Sequence, residues 1–496
     1  MSVTASAEEG GLWRPWALGA GLALAAATAY TLRDRPDVAL ACSVAVLMAA
    51  WWVLDALPLW VTSLVPLVAI PVLLHEQAWP ERAQAAVLPY IDPYVGLFLG
   101  GMCIGAAMQE HGLHRRFALT VLQLCGSSPR RVLAGLIVAP AFVSMWISNT
   151  ATTAMMLPVA IAVAVAARGA HSTSTEKPTA TRHTTALLLA VAYGSSVGGI
   201  ATKIGTPPNA QFAGFLEQRG IEIGFLEYMA VGGGFVLLFL PIVWLFLTRL
   251  LPREDQHSTH AGQEQARIAA ELAALGRMSP AERRIAFVFA CAALGWVLSQ
   301  PLTGWVRQLD GAAWVRTAHV EGAIALLAAL ALKLQRAPSP LLPWRAVARV
   351  PWHTLILLGG SFGLAVLIVD SKAGTELAQL LSGLRSAPMW LALVGATLAT
   401  VALSAIASNT ATCGVMLAVL WEAFGGGSEA VPVLYGATIA ASCDFALPAG
   451  TAPNAIVAGS GLVSLRLMFL VGIGLDLVAA LLAAGWSAWI VPFFHP

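Results

Sequence analysis

Apolar runs near 20 residues, the length an α-helix needs to cross the hydrocarbon core of a bilayer, begin around Trp16, Val38, Leu59, Pro93, Ala186, Tyr228, Ile285, Val320, Thr354, Val433 and Met468. Each is read as a crossing. Two further apolar stretches, 131–166 and 387–424, are interrupted near the middle by Ser148-Asn149-Thr150 and Ser408-Asn409-Thr410, too abruptly for a plain crossing. These are read as re-entrant hairpins, which are tolerated only where the tip is buried in protein or faces a watery cavity. The pattern therefore predicts an all-α polytopic membrane protein of about eleven transmembrane helices plus two hairpins.

One long polar stretch, 251–284, is rich in helix-favouring Ala, Glu, Gln and Arg after Ala261 and is read as a cytoplasmic amphipathic linker. The halves on either side of it repeat. Leu99-Gly100-Gly101 precedes Asn149 as Leu358-Gly359-Gly360 precedes Asn409, the gaps from the second glycine being 48 and 49 residues. Each triplet continues with Ala-Thr, and each half then reaches a Thr-x-Pro-Asn: Thr206-Pro207-Pro208-Asn209 and Thr451-Ala452-Pro453-Asn454. Residues 93–250 form the first repeat, with hairpin 131–166 and a broken helix at 186–218. Residues 351–496 form the second, with hairpin 387–424 and a broken helix at 433–462. The first hairpin enters from the inside and the second from the outside, so the repeats are inverted, as in secondary transporters.

Composition narrows the class. With 58% apolar residues and 11% charged, against roughly a quarter charged in an ordinary soluble domain, a soluble enzyme is excluded. The net charge of +2 and dispersed Lys and Arg give no basic face for nucleic acid. The loops assigned to the inside, among them Arg115, Arg116, Arg130, Arg131 and those of 249–284, carry the excess of Lys and Arg. By the positive-inside rule this sets the N-terminus in the cytoplasm and the C-terminus outside a cell inner membrane. Two glutamates precede the first apolar run, which argues for a retained span rather than a cleaved secretory peptide. The cysteines lie singly and are read as small core residues, and Trp51, Trp52 and Trp486 as interfacial anchors. No His-x-x-x-His pair suggests a metal centre, and no nucleophile with a base suggests a membrane-embedded hydrolase, so no enzyme is expected.

The candidate chemistry lies in the asparagines. The chain has four, Asn149, Asn209, Asn409 and Asn454, and all four fall in the repeated motifs. A dehydrated sodium ion wants about five or six oxygen ligands, and uncharged amide, hydroxyl and backbone carbonyl oxygens suit a hard cation that must be released again. An anion wants donors, which Asn amides, Thr hydroxyls and half-helix N-termini supply. Each half should bind one cation, with one anion shared between the halves.

The segments SMWISNTATTAMMLP at 144–158, GGIATKIGTPPNA at 198–210, AIASNTA at 405–411 and LPAGTAPNAIVAGSG at 447–461 carry a resemblance. They are similar to the paired Ser-Asn-Thr and Ser/Thr-Pro-Pro-Asn signatures of the divalent-anion/sodium symporters, whose members carry dicarboxylates, citrate or sulfate. The resemblance spans nearly the whole chain. It implies a homodimer in the lipid bilayer that works as an elevator, with a scaffold domain from 1–92 and 285–350 and a transport domain from the two repeats. It implies Na+ as coupling ion, a first sodium site at Ser144, Ser148, Asn149 and the carbonyl of Gly205, and a second at Ser404, Ala407, Asn409 and Gly450. The substrate, a small carboxylate anion, would lie between Asn149, Thr150, Thr206 and Pro207 on one side and Asn409, Thr410 and Thr451 on the other.

Departures from the signatures are Ala452, where a proline is expected, and Ser404, where Thr is expected. Lys203 and Asp444 are charges in apolar, Gly-rich stretches that lead into the breaks, where ionisable groups are usually functional. The expected function is sodium-coupled symport of small dicarboxylates. The rivals are a sodium-independent exchanger in which Lys203 stands in for a cation, and a sulfate transporter. For Lys203 the alternative to coupling is snorkelling to an interface; for Asp444 it is bonding to backbone freed by Pro448.

Overall fold

The computed structural model describes residues 15–126, 128–166, 181–251, 261–335, 339–373, 388–448 and 450–495. Loop residues Arg168, Lys177 and Arg385, and the start of the linker at 252–260, lie outside them. Among the described residues the chain is helical throughout, in the order α1 (Pro15–Thr31), α2 (Pro36–Val53), α3 (Leu59–Thr62), α4 (Val65–Leu73), α5 (Trp79–Val87), α6 (Pro93–Glu110), α7 (Leu113–Cys125), α8 (Pro129–Ser144), α9 (Asn149–Ala166), α10 (Arg182–Gly199), α11 (Pro207–Glu217) and α12 (Phe225–Thr248). The second part continues with α13 (Ala261–Ala274), α14 (Pro280–Val297), α15 (Ser299–Arg307), α16 (Thr317–Leu334), α17 (Trp344–Ala348), α18 (Trp352–Asp370), α19 (Met389–Ser404), α20 (Asn409–Ala423), α21 (Val431–Ala440), α22 (Ala452–Gly459) and α23 (Leu465–Ile490).

Among the described residues six helical stretches are long and apolar enough to cross a membrane, and a seventh if α14 and α15, bent by 65° at Leu298, act as one. Two of the other apolar runs depart from a single long helix for local reasons. Leu59–Leu73 is interrupted after Thr62, where the Ser63 hydroxyl donates back to the Leu59 carbonyl and Pro66 restarts the helix. The run at Val433 is cut at Ala440 by the second break. The chain is a multi-pass membrane protein.

The core lies where the two halves meet. Helix α10 is buried along nearly all its length and packs on α8, because at Gly194 and Gly198 any Cβ would overlap the Ile137 and Ala141 carbonyls. The halves then engage reciprocally. Helix α11, which follows the first break, packs on α20 of the second hairpin, and α22, which follows the second break, packs on α9 of the first. The Tyr193 hydroxyl ties the halves by donating to the Phe445 carbonyl at 2.9 Å.

One tryptophan read as an interfacial anchor, Trp52, is a packing residue instead. Trp52 is 2% exposed with its indole N–H directed at the Leu59 carbonyl, and Trp486 donates to the Val231 carbonyl at 2.8 Å. Trp51 is half-buried and donates to Leu18. Exposed indoles occur elsewhere, at Trp16, Trp79, Trp314 and Trp489 among others.

Candidate ion and substrate site

Each of the four motifs ends one helix and starts another. Helix α8 stops at Ser144 and α9 starts at Asn149; α19 stops at Ser404 and α20 starts at Asn409. Likewise α10 stops at Gly199 and α11 starts at Pro207, and α21 stops at Ala440 and α22 starts at Ala452. Every break therefore offers a helix C-terminus, whose free carbonyls suit a cation, beside a helix N-terminus, whose free amides and positive dipole end suit an anion.

In both hairpins the serine that ends the first arm meets the asparagine that starts the second. The Ser144 hydroxyl donates to Asn149 Oδ1 at 2.6 Å, and Ser404 Oγ lies 3.2 Å from Asn409 Oδ1. In both broken helices the Thr-x-Pro-Asn asparagine holds the unwound segment. Asn209 is fully buried, and its amide donates to the carbonyls of Gly199 and Thr202 at 2.9 and 2.7 Å, with Ile200 at 3.4 Å. The Asn454 amide donates to Asp444 and Leu447 at 3.0 Å each. In both cases the acceptors lie ten and seven residues before the asparagine, so the two breaks are the same structure in the same register. Hairpin and break touch in each half. The Thr202 hydroxyl donates to the Met145 carbonyl, Gly199 faces Asn149, and Asn409 lies against Asp444.

The remaining candidates divide. Gly205 sits where a Cβ would overlap the Gly199 carbonyl, within the first break, and Gly450 sits against the Asp444 carboxylate within the second. Thr206 and Thr451 are the residues before α11 and α22; both are buried, and only Thr451 caps, accepting from Asn454 N–H at 3.2 Å. Pro207 opens α11, where its missing N–H costs nothing. Thr410 is buried and Thr150 exposed, each in the first turn of its helix. Ser148 is exposed and its Oγ accepts from the Ala151 N–H, a capping role, while Ala407 contributes only backbone.

Lys203 is engaged by Glu321. Its side chain is fully buried, ruling out snorkelling, and its ammonium donates to both Glu321 oxygens at 3.0 and 2.8 Å and to the Ile223 carbonyl. Glu321, on α16, also accepts from the Ser299 hydroxyl. It was missed in the sequence, although an acid at the head of the apolar run beginning near Val320 was itself a signal. Asp444 accepts from its own backbone N–H, and Asp476 of α23 braces the next residue of the break, accepting from Phe445 N–H at 2.7 Å.

Buried helix breaks that pair carbonyl ends with amide ends, duplicated in two halves of a multi-pass protein, are the construction of a secondary transporter. A family model described as citrate transporter matches residues 49–440, and the chain belongs to this family of divalent-anion/sodium symporters, which are transporters and not enzymes. Among curated relatives, the sodium-dependent dicarboxylate transporter SdcS of Staphylococcus aureus strain USA300 is 32% identical over 453 residues, 90% of this chain and 84% of the relative. The SdcS of strain MRSA252 has the same identity and coverage. Among solved structures, the crystal structure of the Alcanivorax borkumensis YdaH transporter, described as having an unusual topology, aligns with a TM-score of 0.52 at 14% identity, covering 81% of this chain and 85% of that one. That likeness is one of fold.

Proposed function

We propose that this protein is a sodium-coupled symporter of small dicarboxylates of the succinate, malate and fumarate class, with citrate as a further candidate. The observation that carries the reading is the duplicated unit of Ser–Asn hairpin tip and Asn-braced break, which places acceptor oxygens and helix N-termini side by side in each half. One sodium ion is assigned to each unit, at Ser144, Ser148, Asn149 and Gly205 and at Ser404, Ala407, Asn409 and Gly450. The dicarboxylate is assigned to the helix N-termini between them, with Asn149, Thr150, Thr206, Pro207, Asn409, Thr410 and Thr451. The name of the SdcS relatives supports the ion and the substrate class. A homodimer in the inner membrane, with inverted repeats that move as an elevator against a fixed scaffold, N-terminus inside and C-terminus outside, completes the reading.

The sodium-independent exchanger is less well supported, because the Lys203 ammonium is matched by Glu321 rather than offered to the anion. The test is uptake of labelled succinate into proteoliposomes with an inward sodium gradient and with choline in its place. Sodium-driven uptake inhibited by malate and fumarate but not by lactate is expected. Uptake indifferent to sodium, or competition by sulfate alone, overturns the reading.

A further inference from the structure

The shared register of the two breaks assigns each residue a counterpart. Counting back ten from the bracing asparagine gives Gly199 in the first unit and Asp444 in the second. This position lies against the hairpin tip: a Cβ added at Gly199 would overlap Asn149 Oδ1. The first unit leaves it without a side chain. The second fills it with a carboxylate.

That carboxylate is 1% exposed. Its Oδ1 lies 3.5 Å from the Asn409 amide nitrogen, at the limit of a hydrogen bond. Its Oδ2 has no hydrogen-bond partner among the described residues and lies where a Cβ on Gly450 would stand. The Ser404 hydroxyl, its one proton shared between two acceptors, lies 2.7 Å from the Ala441 carbonyl and 3.2 Å from Asn409 Oδ1. The first unit differs, since the Ser144 proton satisfies Asn149 Oδ1 directly. Among the described residues no buried cation answers the Asp444 charge, because Lys203 is matched by Glu321, and the neighbouring Asp476 is engaged by backbone amide. A buried carboxylate with one oxygen unpartnered and no counterion is costly, and an array of Oγ, Oδ1 and carboxylate oxygens is what a hard cation coordinates.

We propose that Asp444 is a direct, charged ligand of the second cation, so that the second site is anionic where the first is neutral. The inference rests on the sodium-coupled reading above. A neutral set of oxygens leaves the sodium charge to be balanced by the incoming dicarboxylate, whereas the Asp444 site balances it within the protein. The second site therefore fills without substrate, and sodium alone stabilises the protein.

The test follows the thermal unfolding midpoint of the detergent-solubilised full-length protein in sodium, with choline holding ionic strength constant, without and with succinate. It is applied to the wild type, Asp444→Asn and Asp444→Gly, the last reproducing the first unit. The expected results are sodium stabilisation of the wild type without succinate, and a sodium concentration for half-maximal stabilisation raised about tenfold or more in both variants, by analogy with lost metal-site partners. A wild type that sodium stabilises only when succinate is present overturns the proposal, even if neither variant folds. So does an unchanged half-saturation in Asp444→Asn, which would mark the carboxylate as a neutral packing group. Sodium dependence of wild-type uptake separates the two readings: its absence overturns the symporter itself, whereas its presence alongside either negative result overturns only the role of Asp444.

Discussion

The two hairpin-and-break units use one backbone solution and two electrostatic ones. In both, a serine meets an asparagine five residues on, and a buried asparagine amide clasps carbonyls ten and seven residues back. They part company at single positions. Gly199 corresponds to Asp444, and Lys203, six residues before Asn209, corresponds to Pro448. The serine hydroxyl serves Asn149 Oδ1 in the first unit and is shared between Asn409 Oδ1 and the Ala441 carbonyl in the second. The motif asparagines thus set the geometry of the break, while the charge beside each break is set by residues the motif leaves free.

The sharpest way to break this comparison is to remove the charge found only beside the first unit. Lys203→Met leaves Glu321 buried without its partner, and Glu321→Gln does the reverse; loss of one member of a buried pair costs about 3–5 kcal/mol. Each single variant is expected to lower the unfolding midpoint sharply. The double variant Lys203→Met with Glu321→Gln should recover most of the loss and keep sodium-dependent uptake. Sodium-independent uptake by the wild type that disappears in the double variant would restore Lys203 as a cation surrogate.

Next comes what the units share. Asn149→Ala and Asn409→Ala each remove a hairpin-tip oxygen and should each reduce uptake by about 100-fold or more, since even outer partners of a metal site are worth 10–100-fold. Folding should survive, because both residues are only half-buried. Near-normal uptake by either variant would show that the shared geometry is not shared function.

The helices, the interruptions and their register were legible because each follows from local chemistry. Apolar runs have helical length, Ser-Asn-Thr and Thr-x-Pro-Asn stop and restart helices, and the motif spacing already paired Gly199 with Asp444, had the count back from the asparagines been made. What the sequence concealed were contacts between distant segments. Glu321 lies 118 residues from Lys203 and 22 from Ser299, which also donates to it, and nothing local announces either meeting. Trp52 looked like an anchor because it lies near a span end, yet it is buried with its indole N–H directed at the Leu59 carbonyl. Nor did anything local announce Asp476, which arrives from α23 to accept from Phe445 N–H in the second break.

The smallest effect distinguishes the two threonines that precede α11 and α22. Thr451 caps α22 through the Asn454 N–H, whereas Thr206, in extended backbone with φ −148°, makes no side-chain cap. Loss of a Thr cap costs about 1 kcal/mol, so Thr451→Ala should lower the unfolding midpoint slightly, and Thr206→Ala should leave it unchanged. Uptake should behave otherwise. The Thr206 hydroxyl has no capping duty and is available to donate to a carboxylate, so Thr206→Ala should raise the succinate KM with little change in stability. In Thr451→Ala the two effects should come together, because one hydroxyl serves both the helix and the anion. The check is a parallel measurement of unfolding midpoint and succinate KM for both variants. Equal stability losses would mean that the first break also depends on its threonine for capping. An unchanged KM in Thr206→Ala would remove that residue from the anion site.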